Sequence, residues 1–228
     1  MKKNKWFLYL FIAIFAFQMI TAIEGIYSDL TRDASLLTHV LMLCVDVLGI
    51  LLAFWVYRHW NSPKKEIYLS GGCFWGTEKY LKLIKGVIST ETGYANGKTQ
   101  NPTYEQVYTD QTGFAECVHV VYDPQIVSLS KLTQLYFKAI DPVSLNRQGE
   151  DEGTRYRTGV YYKDRKDLKV LRQVFDEQAA ALSQPLAVEL LPLDCFYRAE
   201  EYHQDYLDKN PQGYCHLSKE IFDIARKG

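Results

Sequence analysis

The stretch YLSGGCFWGTEKYL, residues 68–81, changes character twice within one short run. A β-favouring segment, EIYL at residues 66–69, stops at Gly71-Gly72. Beyond Cys73, the residues Thr77, Tyr80, Leu81 and Ile84 recur at i, i+3, i+4 and i+7, which is the stripe of an amphipathic helix. Glycines lack a Cβ and let the backbone turn sharply between strand and helix. Cys73 then falls at the helix start, where unpaired N–H groups and the positive end of the dipole are expected to favour thiolate over thiol. Phe74 and Trp75 add an apolar wall beside it. A packing cysteine needs none of these flanks. The pattern fits a nucleophile facing a ligand that is apolar at its end and polar at one atom.

Gly86 is placed to close this helix. VISTETGYA, residues 87–95, reads as a strand, and NGKTQNPTYEQVYTDQTG, residues 96–113, as a turn-rich excursion too polar for a core element. AECVHVVYDP, from Ala115, alternates as a strand with Glu116, Val118, Val120 and Tyr122 on one face and Cys117, His119 and Val121 on the other. Ser128 caps a helix striped by Leu129, Leu132, Tyr136 and Ile140. GTRYRTGVYY, from Gly153, is another strand, and Asp164 caps a second helix with Leu168, Leu171, Phe175 and Leu182 inward. LAVELLPL, from Leu186, is a further strand. A last helix is expected to carry Ala199, Tyr202, His203 and Tyr206 on one face. Adjacent strands with intervening helices predict an α+β two-layer sandwich with a mixed, largely antiparallel sheet and a ferredoxin-like split βαβ core.

The 228 residues divide into a soluble-looking domain at 63–228 and an apolar N-terminal part at 1–62. Residues 6–23 contain 18 consecutive positions without a charge, and residues 36–57 form a second apolar segment. Each is about long enough for a bilayer core, which takes roughly 20 helical residues. Lys2, Lys3, Lys5, Arg58, Lys64 and Lys65 flank the pair, whereas the loop between them holds only Arg32 against Glu24, Asp29 and Asp33. That bias predicts a membrane hairpin with both chain ends, and so the soluble domain, on the cytoplasmic face; the alternative is a signal peptide ending at Ala22, after which a spanning second segment would still return the domain to that face. Asp46 is the exception inside the second segment, where a carboxylate costs roughly 2.5–3.5 kcal/mol on insertion scales; a protonated or hairpin-buried carboxyl is the expectation. A net charge of −1 leaves no basic field to attract nucleic acid.

Five cysteines, Cys44, Cys73, Cys117, Cys195 and Cys215, are scattered with no C-x-x-C pair, which is neither a disulfide framework nor a zinc site. Read alone, Glu116 at the start of a strand reads as a surface carboxylate, and Asp151 lies in an acidic run of the solvated-loop type. His203 reads as a satisfied interior histidine, and Cys117 and Cys195 as inert thiols.

Five blocks carry a resemblance: GGCFWGTE, GYANGKTQNPTYEQV, TGFAECVHVVYDP, RQGEDEGTRYRTGVYY and FYRAEEYHQDYLDKNPQGYC. In order and spacing, over about residues 66–217, they resemble the peptide-methionine sulfoxide reductase A family. The resemblance implies reduction of methionine-S-sulfoxide, free or in oxidised proteins, as repair of oxidative damage. It implies Cys73 as the attacking thiol, Phe74 and Trp75 as the pocket for the substrate methyl group, and Glu116 as the acid that protonates the sulfoxide oxygen. Tyr104 and Tyr156 match phenols bonded to that oxygen, and Asp151 matches a second acidic position. Cys215 matches the cysteine that resolves a Cys73 sulfenic acid into a disulfide, recycled by thioredoxin or, in a test tube, by dithiothreitol. No bound cofactor or metal is implied. Family members often carry a further cysteine beyond the position of Cys215; its lack here implies a two-cysteine cycle. The apolar N-terminal segments are outside the family pattern. Two rivals stay open at this level: a Cys-His thiol hydrolase using Cys73 with His119 or His203, and a metal-binding membrane protein using Cys195, His203, Cys215 and His216.

Overall fold

The structure, a computed structural model, describes residues 13, 16–21, 23–25, 27–28, 36–60 and 63–228. The chain separates into two units, Met1–Ser62 and Pro63–Gly228. In the first, helix α1 (Leu36–Trp60) is continuous. Among the described residues, no helix is long and apolar enough to cross a membrane. The expected span at residues 6–23 lies mostly outside the described residues. The expected span at 36–57 falls within α1, but described side chains there run only from Val40 to Val56 and include Asp46. The two expected transmembrane helices are therefore not among the helices described. Their surface is unusual all the same: Asp46 is buried while Val45, Val47, Leu48, Leu51 and Leu52 are exposed, the reverse of a helix that faces water.

The second unit is built on a six-stranded sheet. Its members are β1 (Lys65–Gly71), β2 (Val87–Ala95), β3 (Ala115–Tyr122), β6 (Thr158–Tyr162), β7 (Glu189–Pro192) and β8 (Phe196–Arg198), in spatial order β7-β6-β1-β3-β2-β8. Every pairing is antiparallel except β6 with β7. Helix α2 (Phe74–Lys82) crosses from β1 to β2 and leaves room between them for β3; α4 (Leu129–Lys138) lies on the path from β3 to β6. This is the mixed, mainly antiparallel α+β sheet expected from the order of elements. A two-stranded ribbon, β4 (Arg147–Gln148) with β5 (Asp151–Glu152), lies outside the sheet. One core joins the sheet to the helices through Ile67, Leu69, Phe74, Leu81, Val118, Val120, Leu132 and Leu171, and a smaller cluster of Tyr68, Ala95, Ala115, Cys117 and Tyr161 forms separately.

Several local expectations change. The polar excursion contains helix α3 (Tyr104–Tyr108), started by a capping box in which Thr103 and Gln106 satisfy each other's backbone N–H; such reciprocal bonds let a short polar segment become helical. Gly86 does not close α2, whose C-cap is Leu83; it takes φ +103 beyond an intervening turn. Asp164 caps a 3-10 turn ahead of α5 (Leu168–Ala180), and Leu182, beyond the helix end, is exposed. The helix expected around Ala199–Tyr206 is instead a series of turns ending in the short α6 (Tyr206–Lys209). Asp205 breaks it with φ +53, its N–H held by Glu78 Oε2 at 2.9 Å. Tyr202 is consequently exposed while His203 is buried. A final helix, α7 (Lys219–Lys227), has no counterpart in the sequence reading.

Candidate active site

Cys73 is the N-cap residue of α2, as the glycine turn predicts. Gly72 takes φ +78, and a Cβ there would meet Gln148 Cβ at 2.6 Å, so only glycine fits the turn. Thr77 secures the first helical turn: its hydroxyl donates to the carbonyls of Gly71 at 2.8 Å and Cys73 at 3.2 Å. On the sheet, Glu116 near the start of β3 shares the alternation of Val118, Val120 and Tyr122, which turns its carboxyl inward. There Glu116 Oε2 accepts the backbone N–H of Phe74 at 3.0 Å. The carboxyl is 2% exposed. Burial raises its pKa to about 8, against the opposing pull of the Phe74 N–H and the Arg155 charge. Glu116 is therefore a neutral acid at pH 7.

Cys73 departs from expectation in its charge. The thiol is buried, and burial, reinforced by the nearby Glu116 carboxyl, pushes its pKa well above that of an ordinary cysteine. The backbone N–H of Trp75 pulls the other way, as a helix start should, but desolvation outweighs it. The resting group is a thiol rather than the thiolate that the helix dipole alone suggests. Its proton and that of Glu116 are both in place before any ligand arrives.

Two phenols bear on the same carboxyl. Tyr104 opens α3, and its backbone N–H donates to Glu200 Oε1 at 2.8 Å. Tyr156 ends the 3-10 turn Thr154–Tyr156 ahead of β6. Burial and then the charge of Glu116 raise both pKa values, so both stay protonated donors. Arg155 braces this corner. Its guanidinium lies over the rings of Tyr108 and Tyr156, 4.2 and 4.4 Å from their centroids, and pairs with Asp110 Oδ2 at 2.6 Å.

The aromatic neighbours of Cys73 divide in depth: Phe74 is in the core and Trp75 is half-buried. Trp75 stacks on Tyr206 with centroids 3.7 Å apart, and its indole N–H donates to His203 Nδ1 at 3.0 Å. Burial drops the His203 pKa to about 4, so the ring stays neutral and can accept that bond. Glu78 on α2 anchors this segment through the Asp205 N–H, and Lys82 pairs with Asp208 Oδ2 at 2.6 Å.

The segment around Cys215 closes the site. A Cβ on Gly76 would lie 3.1 Å from Cys215 Sγ, so the absence of a side chain in the first turn of α2 is what admits that sulfur. Cys215 is half-buried, and all five cysteines are free. Asp151 on β5 accepts the Tyr214 hydroxyl at Oδ1, 3.0 Å away. Electrostatically, Asp151 bears on Cys73, Glu116 and Cys215 alike. The structure thus gathers Cys73, Glu116, Tyr104, Tyr156, Asp151 and Cys215 about the start of α2, with Phe74 and Trp75 as its apolar side.

The family model described as Peptide methionine sulfoxide reductase matches residues 65–226. The chain belongs to the peptide methionine sulfoxide reductase family. Peptide methionine sulfoxide reductase MsrA of Clostridium acetobutylicum is 54% identical over 157 residues, which are 69% of this chain and 97% of that protein. The MsrA of Lachnoclostridium phytofermentans is 54% identical over 162 residues, 71% of this chain and 98% of that protein. Among solved structures, Mxr1 from Saccharomyces cerevisiae in reduced form superposes with a TM-score of 0.64 at 40% identity, covering 69% of this chain and 93% of that one. Methionine sulfoxide reductase A of Corynebacterium diphtheriae gives a TM-score of 0.61 at 38% identity, with 67% and 77% covered.

Against this reductase frame the rival chemistries lose their residues. His119 lies on the face of β3 opposite Glu116, stacked on Tyr68 at 4.4 Å and bonded to Glu66 Oε2 at 2.8 Å. The Nδ1 of His203 is occupied by Trp75. Among the described residues, no group of three or more His, Cys, Asp or Glu is arranged to hold a metal. Cys117 is buried, and burial raises its pKa to about 12; Cys195 is half-buried, its thiol 3.7 Å from the Gly97 carbonyl. Sequence reasoning gave the site no Arg155, Glu200 or Tyr94, and placed Tyr206 only on a helix face and His216 only in the metal-binding rival. Tyr94 is wholly buried, and its hydroxyl donates to Glu200 Oε2 at 2.7 Å. Only the last turns of the chain bring Tyr206 and His216 to α2, so local pattern carries no signal for them.

Proposed function

We propose that this chain reduces methionine-S-sulfoxide to methionine, with Cys73 as the attacking thiol and Glu116 as the proton carrier. The observation that carries the reading is the neutral, buried Glu116 carboxyl bonded to the backbone N–H of the residue after Cys73. A sulfoxide oxygen is a strong acceptor, and its sulfur becomes electrophilic as that oxygen gains a proton. Glu116 supplies this proton while the Tyr104 and Tyr156 hydroxyls donate hydrogen bonds without adding charge. The Cys73 sulfur bonds to the substrate sulfur as its own proton passes to the carboxylate just formed. The substrate S–O bond and the new sulfur–sulfur bond then break as the hydroxyl passes to Cys73 sulfur: thiol and sulfoxide become sulfenic acid and thioether, and Glu116 is neutral again. The methyl group of the substrate lies against Trp75 and Tyr206, with Phe74 beneath.

Cys215 then condenses with the sulfenic acid, giving a Cys73–Cys215 disulfide and water. An external dithiol, thioredoxin in the cell or dithiothreitol in the assay, returns both thiols by exchange. The test is turnover of each sulfoxide epimer by the full-length protein with dithiothreitol. Reduction of the S epimer, lost in Cys73→Ser, supports the reading; full activity in that variant, or equal reaction of both epimers, rejects it.

The N-terminal part is proposed to tether this activity to a membrane, with the catalytic domain on the cytoplasmic side. Support comes from the uncharged run at 6–23, the positive flanks, and the exposed apolar side chains of α1 around a buried Asp46.

A further inference from the structure

His216 follows the resolving cysteine directly, and its two ring nitrogens have different fates. Nε2 lies 3.1 Å from the Gly71 carbonyl oxygen. A carbonyl only accepts, so Nε2 carries the hydrogen and Nδ1 presents its lone pair. That Nδ1 is buried without a hydrogen-bond partner, and so is Asp151 Oδ2, 3.8 Å away. Two acceptors face each other, and one proton on Nδ1 would convert the pair into a charge-assisted hydrogen bond. The site is built for a proton that it lacks at rest.

The donor of that proton is the preceding residue, Cys215, which does not bond Nδ1 at rest. A Cβ on Gly76 would lie 3.1 Å from Cys215 Sγ and 3.1 Å from His216 Nδ1, so sulfur and base crowd the same turn of α2. Burial raises the Cys215 pKa and lowers that of His216, which leaves a thiol beside a neutral imidazole. The titratable groups bearing on this imidazole and thiol are Asp151 from β5, Cys73 at the start of α2, and Tyr214 and Cys215 from its own segment.

We propose that His216 is the base of the resolving step, taking the Cys215 thiol proton at Nδ1 while Asp151 Oδ2 holds the resulting imidazolium. The proposal rests on the reductase reading and deepens it. The Cys215 S–H bond breaks to Nδ1, the Cys215 sulfur bonds to Cys73 Sγ, and the Cys73 S–O bond breaks. The leaving oxygen takes the proton back from Nδ1 and departs as water. Cys73 sulfur is reduced, Cys215 sulfur is oxidised, and no outside reagent enters.

The experiment mixes reduced full-length protein with methionine-S-sulfoxide and follows methionine release and disulfide formation separately from pH 6 to pH 9. In the unaltered protein, disulfide formation should be nearly flat above pH 7, because the base is already neutral. His216→Gln keeps a donor for the Gly71 carbonyl but removes the base. In it, methionine should still appear as a burst of one equivalent, while disulfide formation slows by about 10²-fold near pH 7 and climbs with pH. His216→Asn should behave alike. A rate in either variant equal to that of the unaltered protein, or slowed by one constant factor at every pH, overturns the proposal. So does a tenfold rise per pH unit in the unaltered protein, a measurement that needs no variant. Absence of any methionine burst from unaltered protein overturns the reductase reading itself.

Discussion

Glu116 Oε2 accepts the backbone N–H of Phe74 at 3.0 Å, which ties the buried acid of strand β3 to the residue that follows Cys73. The bond crosses from sheet to helix and sets carboxyl and thiol at one place whatever side chain occupies position 74. It also leaves the other carboxyl oxygen to carry the proton. Burial, which holds that proton on, is supplied by the packing of α2 against the sheet.

The pH dependence of the methionine-forming step follows from this. Glu116 is neutral below about 8 and ionised above it. An acid must be protonated to donate, so the single-turnover rate should hold at neutral pH and fall as pH rises through about 8. Glu116→Gln can still bond the sulfoxide oxygen but cannot pass a proton, and should lose about 10²–10⁴-fold. Rapid-quench measurement of methionine formed per turnover checks both.

Cys73 and Cys215 should separate cleanly. Cys73→Ser forms no methionine. Cys215→Ser releases one equivalent, accumulates a sulfenic acid that a dimedone probe traps, and fails to recycle with thioredoxin. A Cys215→Ser protein that turns over fully with thioredoxin would remove this cysteine from the cycle.

Trp75 should act on substrate capture. Its ring stacks on Tyr206 and its N–H is held by His203, so its position is imposed from two sides. Trp75→Ala removes the apolar contact with a single methyl group, worth about 10–200-fold in kcat/KM for an apolar pocket. The loss should fall mainly on KM, with the one-equivalent methionine burst still reached at high substrate. Steady-state and burst kinetics compared over a wide substrate range decide it.

The proposed tether is tested by removing residues 1–62, which should move the protein from the membrane pellet to the supernatant. Carbonate washing of membranes carrying the full chain should leave it in the pellet. Activity on free methionine sulfoxide should survive the truncation, while repair of oxidised membrane proteins should fall. Release of the full chain by carbonate would show that this segment does not anchor it.

The glycine-flanked cysteine shows how far local sequence reaches. Gly71-Gly72, the aromatic pair and the helical stripe placed Cys73 at a helix start, and alternation along Ala115–Tyr122 put Glu116 on the face of Val118 and Val120; both positions hold in the fold. These are short-range properties, set by turn conformation and by the two-residue period of a strand. Segments whose partners are distant were misjudged. Asp205 takes a left-handed conformation because Glu78, far away in sequence, holds its N–H, and no local pattern announces a helix broken from outside.

Ionisation lies wholly on the tertiary side. From sequence, the helix start argues for a Cys73 thiolate; desolvation within the assembled site keeps it a thiol and keeps Glu116 neutral. Likewise the space over Gly76 that admits Cys215 and His216 exists only once the chain end returns to α2. Residue order by itself determined which side chains start which elements and which faces they share, because those follow from backbone periodicity. The folded chain decided which groups meet, how dry they are and who keeps the protons, because dielectric surroundings and long-range contacts belong to packing and have no local signature.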